Sequence, residues 1–421
     1  MGGADFHCPA VPPRYFTFLP MEGPLATAAG PLIFGIPLAF VVFGAVLVGV
    51  IFFHKRTLEV ALLGLVLILA VRLTFSQLDL VAHLAHEWAK LANLFGLLVG
   101  FALLADHVEA SHLPELLPRV LPRGARGCFT LLLLVWLLSG VLDNIAAAII
   151  GATVAAGVFQ RRVHLGYLAA IVAAANGGGA GSVLGDTTTT MMWIDGVSPL
   201  AVLPAYLGSG AALAVFGTVA SLQQAKHAPI KARAPGDVHV DGRRLGIVAV
   251  ALVAAACTNI VANGLLGSRA ERFPFLASAL WLTLIAGHYL RPLNWKLVPG
   301  TVKGSVFLLA LVLSASLMPV DALPKASWRT TLAMGLVSSI FDNIPLTKMA
   351  LDQGGYDSAL LAYSVGLGGS MVWFGSSAGV AVSGLFPEAK SVLKWLRHGW
   401  HVPVAFVIGY LTLYGLHGWN P

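Results

Sequence analysis

From residue 32 to residue 418 the chain reads as long apolar runs separated by short polar breaks. Runs of spanning character lie at 32–53, 57–75, 92–106, 164–194, 199–221, 245–263, 273–290, 303–318, 356–386 and 400–418. A helix needs about 20 apolar residues to cross a hydrocarbon core. The pattern therefore predicts an all-α polytopic membrane protein with about 10 transmembrane helices. Two more apolar stretches, 127–159 and 330–352, do not fit that scheme. The first, between Arg126 and Gln160-Arg161-Arg162, is too long for one span and too short for two with a turn. Both of its ends are basic, which places both on the cytoplasmic side. A re-entrant hairpin of two half-length limbs satisfies both conditions, and 330–352 reads as a second one.

Lys and Arg test this threading. With the N-terminus outside, the inner segments hold 18 of the 26 basic residues and the outer segments 6; Arg72 and Lys348 fall within apolar runs. This asymmetry is the one expected of a correctly oriented multi-pass protein, with both termini outside, in a bacterial-type inner membrane. Residues 1–31 form a Pro-rich, nearly uncharged lead without the basic start and apolar core of a signal peptide. The longest polar linker, 222–244, is cytoplasmic and divides the rest into a first repeat, 32–221, and a second, 245–421. The first contains the hairpin 127–159 and a broken helix at 164–194; the second, the hairpin 330–352 and a broken helix at 356–386. Five spans per repeat is an odd number, so the second is inverted relative to the first, an architecture of secondary transporters.

Composition narrows the classes further. Hydrophobic residues make up 57% of the 421 and charged residues 11%, where a soluble domain carries about 25% charge. The formal charge of +7 is read as fixing orientation in the bilayer rather than binding nucleic acid. Cys8, Cys128 and Cys257 are scattered and suggest neither a disulfide framework nor a metal knuckle. The glycine clusters lack the Lys-Ser/Thr of a phosphate-binding loop, so direct ATP use is not expected, and no cofactor is implied. The stretch HLAHEWAK, 83–90, resembles part of a metal site but reads as an amphipathic outer-loop segment, and Asp106, His107 and Glu109 as a solvated helix end.

The chemistry gathers in repeated motifs. SGVLDNIAAAI, 139–149, and SSIFDNIPLTK, 338–348, each set an Asp-Asn pair at the middle of a hairpin. Each hairpin is followed by a glycine-rich run: AAANGGGAGSVLGDTTTTMMWI, 173–194, and SVGLGGSMVWFGSSAGV, 364–380. Glycine costs a helix about 1 kcal/mol relative to Ala, so such clusters predict unwound backbone, with Asn176, Gly177, Gly178, Gly179, Gly368, Gly369 and Ser376 supplying it. Close helix packing is the competing reading. An aspartate at the bilayer centre costs roughly 2.5–3.5 kcal/mol and marks an ion or proton path. Asp143, Asp186 and Asp342 are such residues, though Asp143 and Asp342 could equally cap a new helix limb. Asn144 and Asn343 add neutral oxygen ligands, and Thr187 and Thr188 add hydroxyls beside the break. A carboxylate in a partly desolvated site holds either a proton or a sodium ion. Exposed to each side in turn, it exchanges them.

On LDNIAAAI, AAANGGGAGSVLGDTTTTMMWI and FDNIPL the chain resembles the ion transporter superfamily, and within it the NhaD-type Na+/H+ antiporters. The resemblance implies an inner scaffold, a moving transport domain of hairpins and broken helices, a homodimer, and Na+ (or Li+) and H+ as the exchanged ions. Related anion/sodium symporters carry Ser-Asn-Thr at the hairpin turns. Aspartate in place of that serine favours a cation. Two departures stand out. Lys348 occupies the position matched by Ile149 and reads as a charge modulator or as a partner of Asp352. Ser376 stands where the first repeat has Asp186. The alternatives are an anion carrier of the same superfamily, for arsenite or a carboxylate, a channel, and an intramembrane aspartyl protease using Asp143 and Asp342.

Overall fold

The aspartates of the repeated motifs, and Ser376, lie at helix starts. The computed structural model describes residues 31–53, 56–76, 78–113, 115–116, 121–230, 239–266 and 272–421. The N-terminal lead with Cys8 and the middle of the linker, 231–238, lie outside these residues. The helices are α1 (Leu38–Phe52), α2 (Thr57–Phe75), α3 (Leu80–Glu109), α4 (Ala125–Ser139), α5 (Asn144–Val158), α6 (Leu165–Gly179), α7 (Thr187–Ile194), α8 (Pro199–Val202), α9 (Ala205–His227), α10 (Gly242–Leu266), α11 (Phe275–His288) and α12 (Val298–Ser316). They continue as α13 (Trp328–Ser338), α14 (Asn343–Gln353), α15 (Ser358–Gly368), α16 (Ser377–Leu385), α17 (Val392–His398) and α18 (His401–His417). A two-residue antiparallel pair, β1 (Leu32–Ile33) and β2 (Ile36–Pro37), precedes them.

Four helical segments among the described residues are long and apolar enough to cross a bilayer: Thr57–Phe75, Leu80–Glu109, Pro199–His227 and Trp295–Ser316. A fifth counts if α17 and α18, bent by 60° at their junction, form one span. Leu62, Leu63, Val66, Val81, Val253 and Leu282 are exposed on these and neighbouring helices, as expected of side chains that face lipid rather than water.

Several boundaries differ from the sequence reading. The first apolar run starts as a tight hairpin, because Phe34 and Gly35 both take positive φ (51° and 81°), the conformation of a two-residue turn. The run 92–106 extends backwards to Leu80: Asp79 caps α3 by accepting from the Ala82 amide at 3.0 Å, so HLAHEWAK is helical and not a loop. The first residues of the linker continue α9 to His227. Asp106 and His107 are not a solvated end. His107 is fully buried against the Arg244 guanidinium at 2.8 Å, and Asp106 accepts from Asn294 at 3.0 Å.

Two groups of helices emerge. One joins α1, α2, α3, α10, α11 and α12; the other joins α4 to α9 with α13 to α18. In the second group α6 and α15 are enclosed on all sides. Residues 167–179 of α6 are buried without exception, which suits a helix that is apolar or small all round. Tyr167 donates to the Cys128 carbonyl at 2.7 Å, and Tyr363 to the Phe406 carbonyl at 2.8 Å, so each enclosed helix is pinned to a neighbour. The two groups meet where α7 and α14 lie against α3 and α12. A small apolar cluster of Leu94, Met191, Leu308, Val312 and Ile344, separate from the main core, fills that boundary.

Candidate functional site

Four short helices begin at the polar residues of the motifs. Asp143 caps α5 (Oδ2 to the Ile145 amide, 3.1 Å), and Asp342 caps α14 (Oδ1 to the Ile344 amide, 3.0 Å). Asp186 caps α7 (Oδ1 to the Thr188 amide, 3.4 Å), and Ser376 caps α16 (Oγ to the Gly379 amide, 3.3 Å). These are ordinary N-cap contacts of Asp and Ser. They also bring four helix N-termini, each with a partial positive charge, to the middle of the molecule. Helix α16 packs on α5 and α14 on α7, so the starts are interleaved between the two halves.

The glycine runs behave differently from expectation. Asn176, Gly177, Gly178 and Gly179 remain helical within α6, and Gly368 ends α15 with Gly369 as its cap. The interrupted backbone lies just beyond, at 180–186 and 369–376. The physical reason is close approach. A Cβ on Gly178 would fall 2.0 Å from the Trp136 carbonyl oxygen, and one on Gly368 would fall 2.1 Å from that of Gly335. Only an absent side chain lets the hairpins lie this near. Both breaks are stitched to the hairpins by matching hydroxyls, Ser139 to the Ala175 carbonyl at 2.6 Å and Ser338 to the Val365 carbonyl at 2.7 Å.

A polar network connects the two halves. Asn144 Nδ2 donates to Asn176 Oδ1 and to Asp186 Oδ1, both at 3.0 Å. Asn176 Nδ2 in turn donates to Ser370 Oγ at 2.9 Å and Ser376 Oγ at 3.0 Å. Asn144, Asn176, Asp186, Ser370 and Ser376 are all buried. The Thr187 hydroxyl lies 3.4 Å from Asp186 Oδ1, and Thr188 is fully buried beside it. The hydroxyls of Thr189 and Thr190 are spent on the Ser182, Val183 and Asp186 carbonyls, so of the threonine run only Thr187 and Thr188 face the site.

One atom stands apart. Asp186 is 1% exposed; its Oδ1 receives several donors, but its Oδ2 has no hydrogen-bond partner among the described residues. An unsatisfied buried carboxylate oxygen costs on the order of 1–3 kcal/mol or more, so this oxygen is a strong acceptor in search of a proton or cation. Asp143 and Asp342 are half-buried and lie within electrostatic reach of Asp186. Their direct hydrogen bonds go to their own helices. Asn343 is buried at the head of α14, outside the Asn144–Asn176 chain.

Ser370 joins the network, and Ser139 and Ser338 tie the hairpins to backbone carbonyls, without having been singled out in the sequence, because serines in apolar runs carry no signal of their own. Lys348 pairs with Asp352 as expected, at 2.7 Å, but also with Glu87 on α3, at 3.1 Å. A second ion pair, Lys90 with Asp195, links α3 to the end of α7. His83 meets Ser316 at 3.0 Å. The burial of Glu87 was detectable, though not its partner: Glu87, Leu91, Leu94 and Leu98 share one helical face by spacing, which sets an acid on an apolar stripe.

No family model matches the chain. It is similar to sodium/proton antiporter 1 of Arabidopsis thaliana, 28% identical over 388 residues, covering 80% of this chain and 64% of that protein. It is also similar to sodium/proton antiporter 2 of the same plant, 28% identical over 286 residues, with 58% and 66% covered. The Na(+)/H(+) antiporter NhaD of Alkalimonas amylolytica is 33% identical over 99 residues, covering 22% of this chain and 20% of that protein. The chain thus spans just under two thirds of the length of the two plant relatives.

Proposed function

We propose that this chain is a secondary transporter of the NhaD type that exchanges Na+ or Li+ for H+ by alternating access. The observation that carries the reading is the bare Oδ2 of buried Asp186, opposite an Oδ1 held by donors. A single buried negative charge is neutralised by one proton or by one monovalent cation, and the two exclude each other. Loading on one side of the membrane and release on the other then yields exchange without any covalent step. In this reading Asp186 carries the ion. Asn144, Asn343, Thr187 and Thr188 complete its oxygen shell, and Asp143 and Asp342 add negative potential from their caps. The two units α4–α7 and α13–α16 are inverted repeats whose hairpins re-enter from opposite sides. The antiporter names of all three relatives support the ion pair chosen.

An anionic substrate is disfavoured, because it would have to approach an unpaired carboxylate in a site that excludes water. The protease reading fares no better: Asp143 and Asp342 are each occupied with a helix of their own. Proteoliposomes loaded with a pH dye test the proposal. An inward Na+ gradient should drive proton efflux in the parent, while labelled citrate should not enter. Citrate uptake without cation-driven proton flux would exclude the exchange reading.

A further inference from the structure

The two halves match position by position around their breaks. Gly178 and Gly368 each receive a carbonyl from the preceding hairpin limb, and Gly179 and Gly369 each face the glycine that ends the break, Gly185 and Gly375. Asp186 and Ser376 then occupy equivalent caps. The same register sets Asn176 opposite Gly366. In the first unit Asn176 reaches across and donates to Ser376. Its counterpart has no side chain with which to reach Asp186.

The space left by that missing side chain is specific. A Cβ on Gly366 would stand 3.1 Å from Asp186 Oδ2, the unpartnered oxygen, and no other atom would come nearer than Ala180 Cβ at 3.7 Å and the Asn176 carbonyl oxygen at 3.8 Å. Gly366 therefore differs from Gly178 and Gly368, whose missing side chains are filled by backbone. It is fully buried within α15, where glycine costs about 1 kcal/mol relative to Ala. No backbone fills the place of its side chain, but a Cβ there would press on Asp186 Oδ2 more tightly than ordinary van der Waals contact. What it leaves open is room beside a buried carboxylate oxygen.

We infer that Gly366 determines cation size at this site: its absent side chain forms the niche in which a dehydrated monovalent ion touches Asp186 Oδ2. The inference rests on the exchange reading for Asp186 and adds its selectivity. A methyl group at residue 366 would occupy part of the niche, so a smaller ion would still fit where a larger one would not. The asymmetry of the two units then has a function. The unit with Ser376 is sealed by an amide, and the unit with Asp186 is left open for the ion.

The experiment compares proton flux driven by Li+, Na+ and K+ in proteoliposomes of the parent, Gly366→Ala, and Gly366→Ala with Ala180→Gly, which frees space on the apolar side. The parent should use Li+ and Na+ and leave K+ nearly unused. In Gly366→Ala the Na+ to Li+ flux ratio should fall by roughly tenfold or more, the scale on which one carbon in a shaped pocket discriminates. An unchanged ratio in a folded alanine variant overturns the inference. Should neither alanine variant fold, the parent alone decides: K+ flux equal to Na+ flux overturns it. Absence of cation-driven flux in the parent with every ion would instead overturn the exchange reading. The niche is then judged by whether Li+ and Na+ raise the melting temperatures of parent and Gly366→Ala in different proportion, and equal proportion overturns it.

Discussion

The first unit, α4 to α7, and the second, α13 to α16, share a backbone plan and an Asp cap, but only the first carries a second carboxylate. Both start their inner helices with an Asp cap followed by a buried Asn. Both press a hairpin against glycines. They part at the next layer, where Asp186 and Asn176 of the first unit face Ser376 and Gly366 of the second. The comparison teaches that the repeated residues build the frame while the unrepeated ones supply the chemistry. A carboxylate at both of these equivalent caps would put two like charges in one dry space, which is costly unless one is neutralised. Asp186 alone at this layer leaves one charge there that, in the reading proposed, a single ion balances.

The strongest way to break this comparison is to exchange its unequal members. Asp186→Asn should lower sodium-driven proton flux by roughly 100-fold or more, since it removes the charge proposed to hold the ion, whereas Ser376→Ala loses two neutral hydrogen bonds worth about 1 kcal/mol each. Equal losses in the same vesicle assay would mean that the charge is not confined to the first unit. The next largest effect is expected on stability. Lys348→Met leaves Glu87 buried and unpaired, a change that costs about 3–5 kcal/mol, while Ile149→Met at the matching place in the first unit should cost less than about 1.5 kcal/mol. Melting temperatures in detergent read both, and similar values would remove Lys348 from any load on the fold.

A smaller effect sharpens the distinction between frame and chemistry. Asp143→Asn and Asp342→Asn keep a capping oxygen and should hold stability within about 0.5 kcal/mol, whereas alanine at either position costs about 1 kcal/mol. If Asp143→Asn stops exchange as completely as Asp186→Asn does, the assignment of Asp143 to the frame fails. The smallest effect lies outside both units and sets the baseline for their pH response. The Arg291 guanidinium beside Asp241 holds that carboxyl below the usual carboxylate range. Its contribution to stability is therefore present above the unfolded value of about 4 and fades as pH falls through the lowered folded value. Asp241→Asn should flatten only this acid limb of a melting-temperature profile. A change at neutral pH would show that the linker contact does more.

Much of the frame was legible because its signals are local. An Asp-Asn pair inside an apolar run marks a helix start, and a glycine cluster marks an interruption within a few residues. The exact place of each break was not legible, since Gly178 serves the approach of Trp136, on a chain segment some forty residues earlier, and Gly179 that of Gly185, rather than unwinding. The Glu87–Lys348 pair was hidden for the same reason: its members sit on α3 and α14 and meet only in three dimensions. Gly366 was marked only as one member of the glycine-rich run 364–380, with nothing to set it apart from its neighbours. Its meaning comes from the register that sets it against Asn176, and that register is visible only once the carbonyl contacts of both units are seen.

The side chain of Asn176 ties the two breaks together through donations to Ser370 and Ser376. Pulling the halves apart along this seam would strand an amide in a dry interior, at about 1–3 kcal/mol for each polar group left unmet. The seam therefore resists shear, and the boundary against α3 and α12 is held differently, by the Lys348–Glu87 and Lys90–Asp195 ion pairs beside a small apolar patch. In the exchange proposed above, this seam would make both broken helices travel as one body, with the ion between them.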